Sequence, residues 1–294
     1  MENPKQKLKD IKKEKDFFIG IDSDGCVFDT MEIKQKECFC PKLIKHWELQ
    51  KVQKYAREVW EFVNLYSKTR GLNRFLAVIE TFKQLNERPD VQARNFQAPD
   101  LQPLTEWTQK ETKLGNPALE SYAGKVNNKI IDMALEWSVA VNKEVSEMVY
   151  GMPPFPYVRE VLEKIRDKAD MIVVSQTPIE ALEREWQENE LDAYAKIIAG
   201  QEYGTKAEHL EYATAGKYDK DKILMVGDAP GDMKAAKSNN VLFFPINPGH
   251  EEDSWECFYS EALDKLFAGE YAGDYEKSLI EQFEGYLPET PPWK

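Results

Sequence analysis

The sequence is short of what several protein classes require. It has no long apolar run: Phe17 to Ile21, the first such stretch, is far too short for a membrane span or a signal peptide. Cysteine is sparse, with four residues at 26, 38, 40 and 257, and nothing suggests a disulfide framework, so a reducing cytoplasm is the expected home. Positive charge is also short. Lys and Arg number 39 against 52 Asp and Glu, a formal net charge of -13, which argues against a nucleic-acid or anionic-membrane surface, since phosphate backbones are bound mainly by Lys and Arg. No glycine-rich linker, internal repeat or low-complexity tract divides the chain.

What is there reads as a soluble globular protein. Its 294 residues, 42% hydrophobic and 31% charged, have ample length to bury a core in one large domain or two ordinary ones. The six lysines between Lys5 and Lys15 read as a frayed or helical surface arm. Cys38-Phe39-Cys40 with His46 lacks a fourth ligand at zinc-like spacing and is expected to pack rather than bind metal.

The chain is organised around Phe17-Phe18-Ile19-Gly20-Ile21-Asp22-Ser23-Asp24-Gly25-Cys26-Val27-Phe28-Asp29. An apolar run ends abruptly in two carboxylates two residues apart, which reads as a buried strand delivering both acids to its C-terminal edge. Two carboxylates so close repel each other unless a cation shares the site. The alternative is a strand followed by an Asp-rich turn, because Asp and Gly favour turns in their own right.

From Thr30 to about Tyr150 the texture is helical. Apolar residues recur at helical spacing over Lys51 to Tyr66 and Leu72 to Leu85, and further helices are predicted at about Leu104 to Leu114 and Asn128 to Tyr150. Arg88 to Pro103, with three prolines, reads as an irregular connection. After Gly151-Met152-Pro153-Pro154, helix and strand alternate: strands are predicted at Met171 to Val174, Lys196 to Ala199, Ile223 to Gly227 and Val241 to Pro245. With Phe17 to Ile21 these make five short apolar strands joined by helices, which predicts a parallel sheet covered on both faces. The expected fold is therefore α/β, a Rossmann-like three-layer core with a five-stranded parallel sheet, built from residues 14–30 and 151–294, with an all-helical insert at 31–150. The tail from Glu251 is expected to pack helices on the core.

Polar groups stand at the strand ends, where open α/β sheets place their chemistry. These are Asp22 and Asp24 after the first strand, Ser175 after the second, and Asp228 with Asp232 after the fourth. Lys206 opens the helix that follows the third. Such groups suit phosphoryl transfer, which needs positive charge and hydrogen-bond donors fixed beforehand around a spreading negative charge.

Asp22-x-Asp24-Gly-x-Val-Phe-Asp resembles the first signature of the haloacid dehalogenase superfamily, and Ser175, Lys206 and Gly227-Asp228-Ala-Pro-Gly-Asp232 resemble its other three, in order. The resemblance implies a core with a helical cap of the C1 type, and Asp22 as a nucleophile forming an aspartyl-phosphate. It implies Asp24 as general acid and base, Ser175 as a phosphoryl-oxygen donor and Lys206 as a neutralising cation. Mg2+ would be held by Asp22, the Asp24 backbone carbonyl, Asp228 and Asp232. The expected activity is phosphate monoester hydrolysis of a small phosphorylated metabolite. A phosphomutase, or a silent binding protein on the same fold, is the alternative. Cys26 stands where the family commonly has threonine, and is expected to pack and not to react. Arg70, Asn73 and Arg74, followed by Glu32, Lys34 and His46, are the candidate cap residues for substrate contact.

Overall fold

Five strands run parallel through the α/β part of the chain, and their residue types say why. Phe17–Ile21 (β1), Ala169–Val174 (β2), Ile198–Ala199 (β3), Ile223–Gly227 (β4) and Leu242–Pro245 (β5) are apolar almost throughout, as strands buried on both faces must be. The computed structural model describes residues 3–294. The strand order is β3-β2-β1-β4-β5, with every adjacent pair parallel. Alternate residues supply two separate cores. Ile19, Ile21, Met171, Val173, Leu224 and Val226 meet helices Val158–Ile165, Glu251–Cys257 and Leu263–Ala268 on one face. Phe18, Ile172, Val174, Ile223 and Met225 meet Leu210, Ala213, Ala235, Ala236 and Phe283 on the other. Each buried Val, Leu, Ile, Met or Phe side chain among them contributes about 1.5–3 kcal/mol, and together these residues make the three layers.

Register decides where the polar strand ends fall. Ile21 is opposite Val173 on one side and Val226 on the other, so Asp22, Ser175 and Asp228 emerge along one edge. The strand order reverses between β1 and β4, the switch point at which open α/β sheets leave a crevice.

The chain divides into two compact units: 1–31 with 151–287, and 32–150 with 288–294. The first is the α/β unit. The lysine-rich arm, read from sequence as a frayed or helical surface arm, begins as a helix and is docked in this unit. Pro4–Lys9 is a helix whose Leu8 is fully buried, in the same core cluster as Ile11. Lys5 pairs with Glu208 at 2.6 Å, and the amides of Glu14 and Lys15 donate to buried Asp170 at the start of β2.

The second unit is helical. Its longer helices are Gln53–Asn64, Arg74–Glu87, Gln102–Lys110, Asn116–Ala123 and Lys129–Met148, wrapped on an aromatic centre in which Trp60, Trp137, Phe39 and Phe75 stand edge to face or stacked. The segment 88–103, expected to be irregular, contains one short helix, Pro89–Gln92. The last seven residues return to this unit, not to the α/β unit. Trp293 packs on Phe62 with centroids 5.4 Å apart, and the Arg88 guanidinium lies 4.5 Å from the Trp293 ring and 4.7 Å from that of Tyr55. Among the described residues no helix is long and apolar enough to cross a membrane.

Candidate active site

Four side chains from three segments meet at the reversal point. Asp22 follows β1 and is 5% exposed; its backbone amide still donates to Val226 on β4, 3.0 Å away. Asp228 follows β4 and is buried. Asp232 sits one turn into the helix Pro230–Asn239, fully buried. Lys206 opens the helix Lys206–Thr214, whose start is fixed by a capping box between Thr205 and Glu208. Its Nζ donates to Asp22 Oδ2 and to Asp232 Oδ1, each at 2.6 Å.

Gly227 makes the approach of Asp232 possible. A Cβ at that position would lie 2.4 Å from both Cβ and Cγ of Asp232, closer than non-bonded carbons come. With no side chain there, Asp232 folds back over the strand end, and its Oδ2 accepts from the Ala229 amide at 3.0 Å. That bond also satisfies an amide at the helix start.

Ligand oxygens of Asp22, Asp228 and Asp232 lie within 4.8 Å of one another. Three carboxylates against one ammonium leave the cluster two negative charges in excess. The consequence falls on Asp22: burial, reinforced by Asp232 and Asp228 against the pull of Lys206, pushes its carboxyl well above the usual carboxylate range. Burial alone would lower the Lys206 ammonium, but the charges of Asp22 and Asp232 outweigh it and hold lysine above its ordinary value. The directions are compatible, because Lys206 faces two acids while Asp22 faces two acids and one cation.

The remaining candidates of the α/β unit lie on the loops beside these four. Asp24 takes hydrogen bonds from two hydroxyls: Thr30 Oγ1 donates to its Oδ1 at 2.5 Å and Thr177 Oγ1 to its Oδ2 at 2.7 Å. Ser175 is buried, and its Oγ accepts from the Thr177 amide at 3.1 Å. Ser23, between the two acids, turns the other way, accepting from Trp186 Nε1 and donating to Glu185. Cys26 is buried in the core, with Sγ 3.9 Å from the Val226 carbonyl. Burial, then the charge of Asp228, pushes its thiol well up, so it stays protonated. Thr30 was not singled out from sequence, and Thr177 was read there only as a less favoured stand-in for Ser175; its bond to Asp24 gives it a different place in the site.

The candidates of the helical unit are not gathered in this way. Asn73 caps the helix Arg74–Glu87, its Oδ1 accepting from the Phe75 amide and its Nδ2 donating to Leu114. The Arg74 guanidinium donates to Ser138 Oγ and Asn142 Oδ1 and lies 5.0 Å from the Phe39 ring. Arg70 is buried and donates to the Leu65 carbonyl at 2.9 Å. Glu32 accepts from Lys36 at 2.6 Å and from Tyr66; Lys34 and His46 are half-buried. Cys38 and Cys40 are buried free thiols. The acidic trio is the one cluster of metal-ligating type found among the described residues.

The sequence model of a family described as haloacid dehalogenase-like hydrolase matches residues 72–246, more than half of the chain. That span includes Ser175, Lys206, Asp228 and Asp232 and begins downstream of Asp22. No curated protein sequence matches. Among solved structures, a haloacid dehalogenase-like family hydrolase from Streptococcus pneumoniae is 16% identical, with a TM-score of 0.44, covering 83% of this chain and 90% of that one. A protein described as a predicted phosphatase from Clostridium acetobutylicum is 15% identical, with a TM-score of 0.43, covering 90% of this chain and 98% of that one. At such identities and scores the likeness says nothing of substrate.

Proposed function

The chain belongs to the haloacid dehalogenase-like hydrolases, and from that premise we propose that it is a magnesium-dependent phosphatase acting on a small phosphorylated metabolite, with the phosphoryl group carried transiently on Asp22. The observation that carries this reading is the set of three buried carboxylates sharing one ammonium at the ends of β1 and β4. As bare structure this is costly, since like charges a few ångströms apart and away from water destabilise each other. It is the arrangement expected of a site that receives a cation.

The donor set fits a hard divalent ion. All three residues offer carboxylate oxygen, their ligand atoms are within 4.8 Å of one another, and the cluster's surplus equals the charge of one such ion. Asp22, Asp228 and the Asp24 backbone carbonyl would hold Mg2+, with Asp232 ligating directly or through water. When bound, the ion would supply positive charge that offsets the repulsion between the Asp22 carboxylate and the substrate's phosphoryl group.

The chain's own residues would then divide the reaction as follows. A bond forms between an Asp22 oxygen and phosphorus while the bond from phosphorus to the ester oxygen breaks, and Asp24 gives its proton to that departing oxygen. Next, Asp24 takes a proton from water as the water oxygen bonds to phosphorus and the bond to Asp22 breaks, releasing inorganic phosphate. Lys206 offsets the charge of Asp22 and of the group in transit. Ser175, whose oxygen already accepts from the Thr177 amide, has its own proton to give to a phosphoryl oxygen. In the helical unit Arg70 is buried and its guanidinium donates to the Leu65 carbonyl, so it is engaged there. Asn73 and Arg74 are given no substrate role, because their polar atoms are engaged within that unit.

The test is release of inorganic phosphate from a panel of phosphorylated metabolites, with Mg2+ and with EDTA. Turnover that requires the metal is expected. Undiminished hydrolysis in EDTA, or no phosphate release across a broad panel, would refute the reading.

A further inference from the structure

On the phosphatase reading above, we infer that Thr177 is a positioning residue whose hydroxyl holds the Asp24 carboxylate where that group exchanges its proton with the leaving oxygen. Both Asp24 oxygens are gripped by threonine hydroxyls, Thr30 at 2.5 Å and Thr177 at 2.7 Å. Threonine is stiff at its first side-chain torsion, so a threonine with a fixed backbone is a fixed donor.

Both threonines are themselves held in place, Thr30 by full burial and by its amide's 2.8 Å bond to the Phe28 carbonyl. Thr30 opens the short helix Thr30–Ile33, at the point where the chain leaves the α/β unit. Thr177 is pinned at the sheet edge from several directions. It precedes Pro178, which confines its backbone to extended conformations. Its amide donates to Ser175 Oγ, and its carbonyl accepts from the Gln201 amide at 3.1 Å. Gly200 lets that neighbouring loop come so close that a Cβ there would stand 2.7 Å from the Thr177 carbonyl oxygen. Ser175 and Thr177 thus present two hydroxyls from one rigid loop, the first free to donate to a phosphoryl oxygen and the second committed to the acid.

A carboxyl that turns about two single bonds loses much of its value as a general acid unless something sets its direction. Thr177 supplies that direction, and the effect has a signature that a merely structural role lacks. It should scale with the need of the leaving group for a proton. p-Nitrophenolate departs readily as an anion, whereas phenolate leans more on the acid.

The experiment compares kcat/KM for phenyl phosphate and p-nitrophenyl phosphate, with saturating Mg2+, in wild type, Thr177→Val, Thr177→Ala and Thr177→Ser. Because kcat/KM covers only the steps through departure of the alcohol, a slow second half-reaction does not mask the result. Thr177→Val and Thr177→Ala are expected to lower the phenyl phosphate value about tenfold more than the p-nitrophenyl phosphate value. Thr177→Ser, which keeps the hydroxyl, is expected to restore the wild-type ratio. Equal losses on both esters, or no loss, would overturn the inference. An active wild type whose Asp24→Asn variant shows the leaving-group bias while Thr177→Val does not would remove Thr177 alone. A wild type inactive on both esters and across the metabolite panel would remove the phosphatase reading with it.

Discussion

Replacing Asp22 by asparagine is expected to move activity and stability in opposite directions. At an effective dielectric constant of about 20, like charges within 4.8 Å of each other repel by at least about 3 kcal/mol, and Asp22 has two such neighbours, Asp228 and Asp232. Its 2.6 Å pairing with Lys206 returns about 6 kcal/mol on the same scale. The Coulombic contributions nearly cancel, which leaves the desolvation of a buried carboxylate, several kcal/mol, uncompensated in the metal-free protein. Asparagine keeps the shape and an oxygen for the Ser23 amide or Lys206, so the Asp22→Asn variant should be more stable by about 2 kcal/mol, or about 4–8 °C in Tm. Because the folded-state pKa of Asp22 is raised, its contribution to stability is full below the ordinary carboxylate value, about 3.9, and is lost as pH rises through the folded value. The gain from the substitution should therefore be small in acid and grow toward neutrality. Thermal or urea unfolding in EDTA at two pH values measures it, and Mg2+ should narrow the gap by stabilising wild type more. Turnover should fall by at least about ten-thousand-fold. An Asp22→Asn variant that is no more stable than wild type in EDTA at neutral pH, or that still turns over, would refute this account of the site.

Gly227→Ala should damage the same site without touching a charge. Its Cβ would fall 2.4 Å from Asp232, so either β4 or Asp232 must shift, at a cost of about 1–3 kcal/mol. Loss of Mg2+ affinity measured calorimetrically is the expected result, and unaltered affinity would show that the strand end yields freely. In the helical unit, Asn73→Ala should lower stability by about 1 kcal/mol through loss of a helix cap while leaving kcat/KM ratios among phosphorylated substrates unchanged; altered ratios at unchanged stability would return Asn73 to the set of substrate contacts.

The strands were legible because burial on both faces leaves a plain mark. Phe17–Ile21 and Ile223–Gly227 begin and end where sequence placed them, each an apolar run cut off by an acid or by a glycine with an acid behind it. The helix Asn116–Ala123 was missed, since Leu119 is its one buried residue and it therefore lacks the apolar repeat that marks a packed helix. The docked arm was missed for another reason. Its anchors, Asp170 and Glu208, lie more than 150 positions along the chain, and six lysines look solvated until their partners are known. Thr177 is a similar case, its hydroxyl bonded to an acid 153 residues upstream. Asn73 was legible in principle, because an asparagine directly before an apolar helical run is a capping signal.

The return of the last seven residues to the helical unit has a bearing on how this chain can be recombined. The backbone passes between the two units three times, near residues 31, 150 and 287, so residues 32–150 are not a self-sufficient cassette. Cut out alone, that segment would bare Phe62 and the face of Arg88 that Trp293 covers, and would lose the Lys294 pairing with Glu87. The remainder would carry a stranded tryptophan on a loose peptide. A swap of helical units between relatives would have to transplant two discontinuous pieces, with the C-terminal peptide chosen to match its new host.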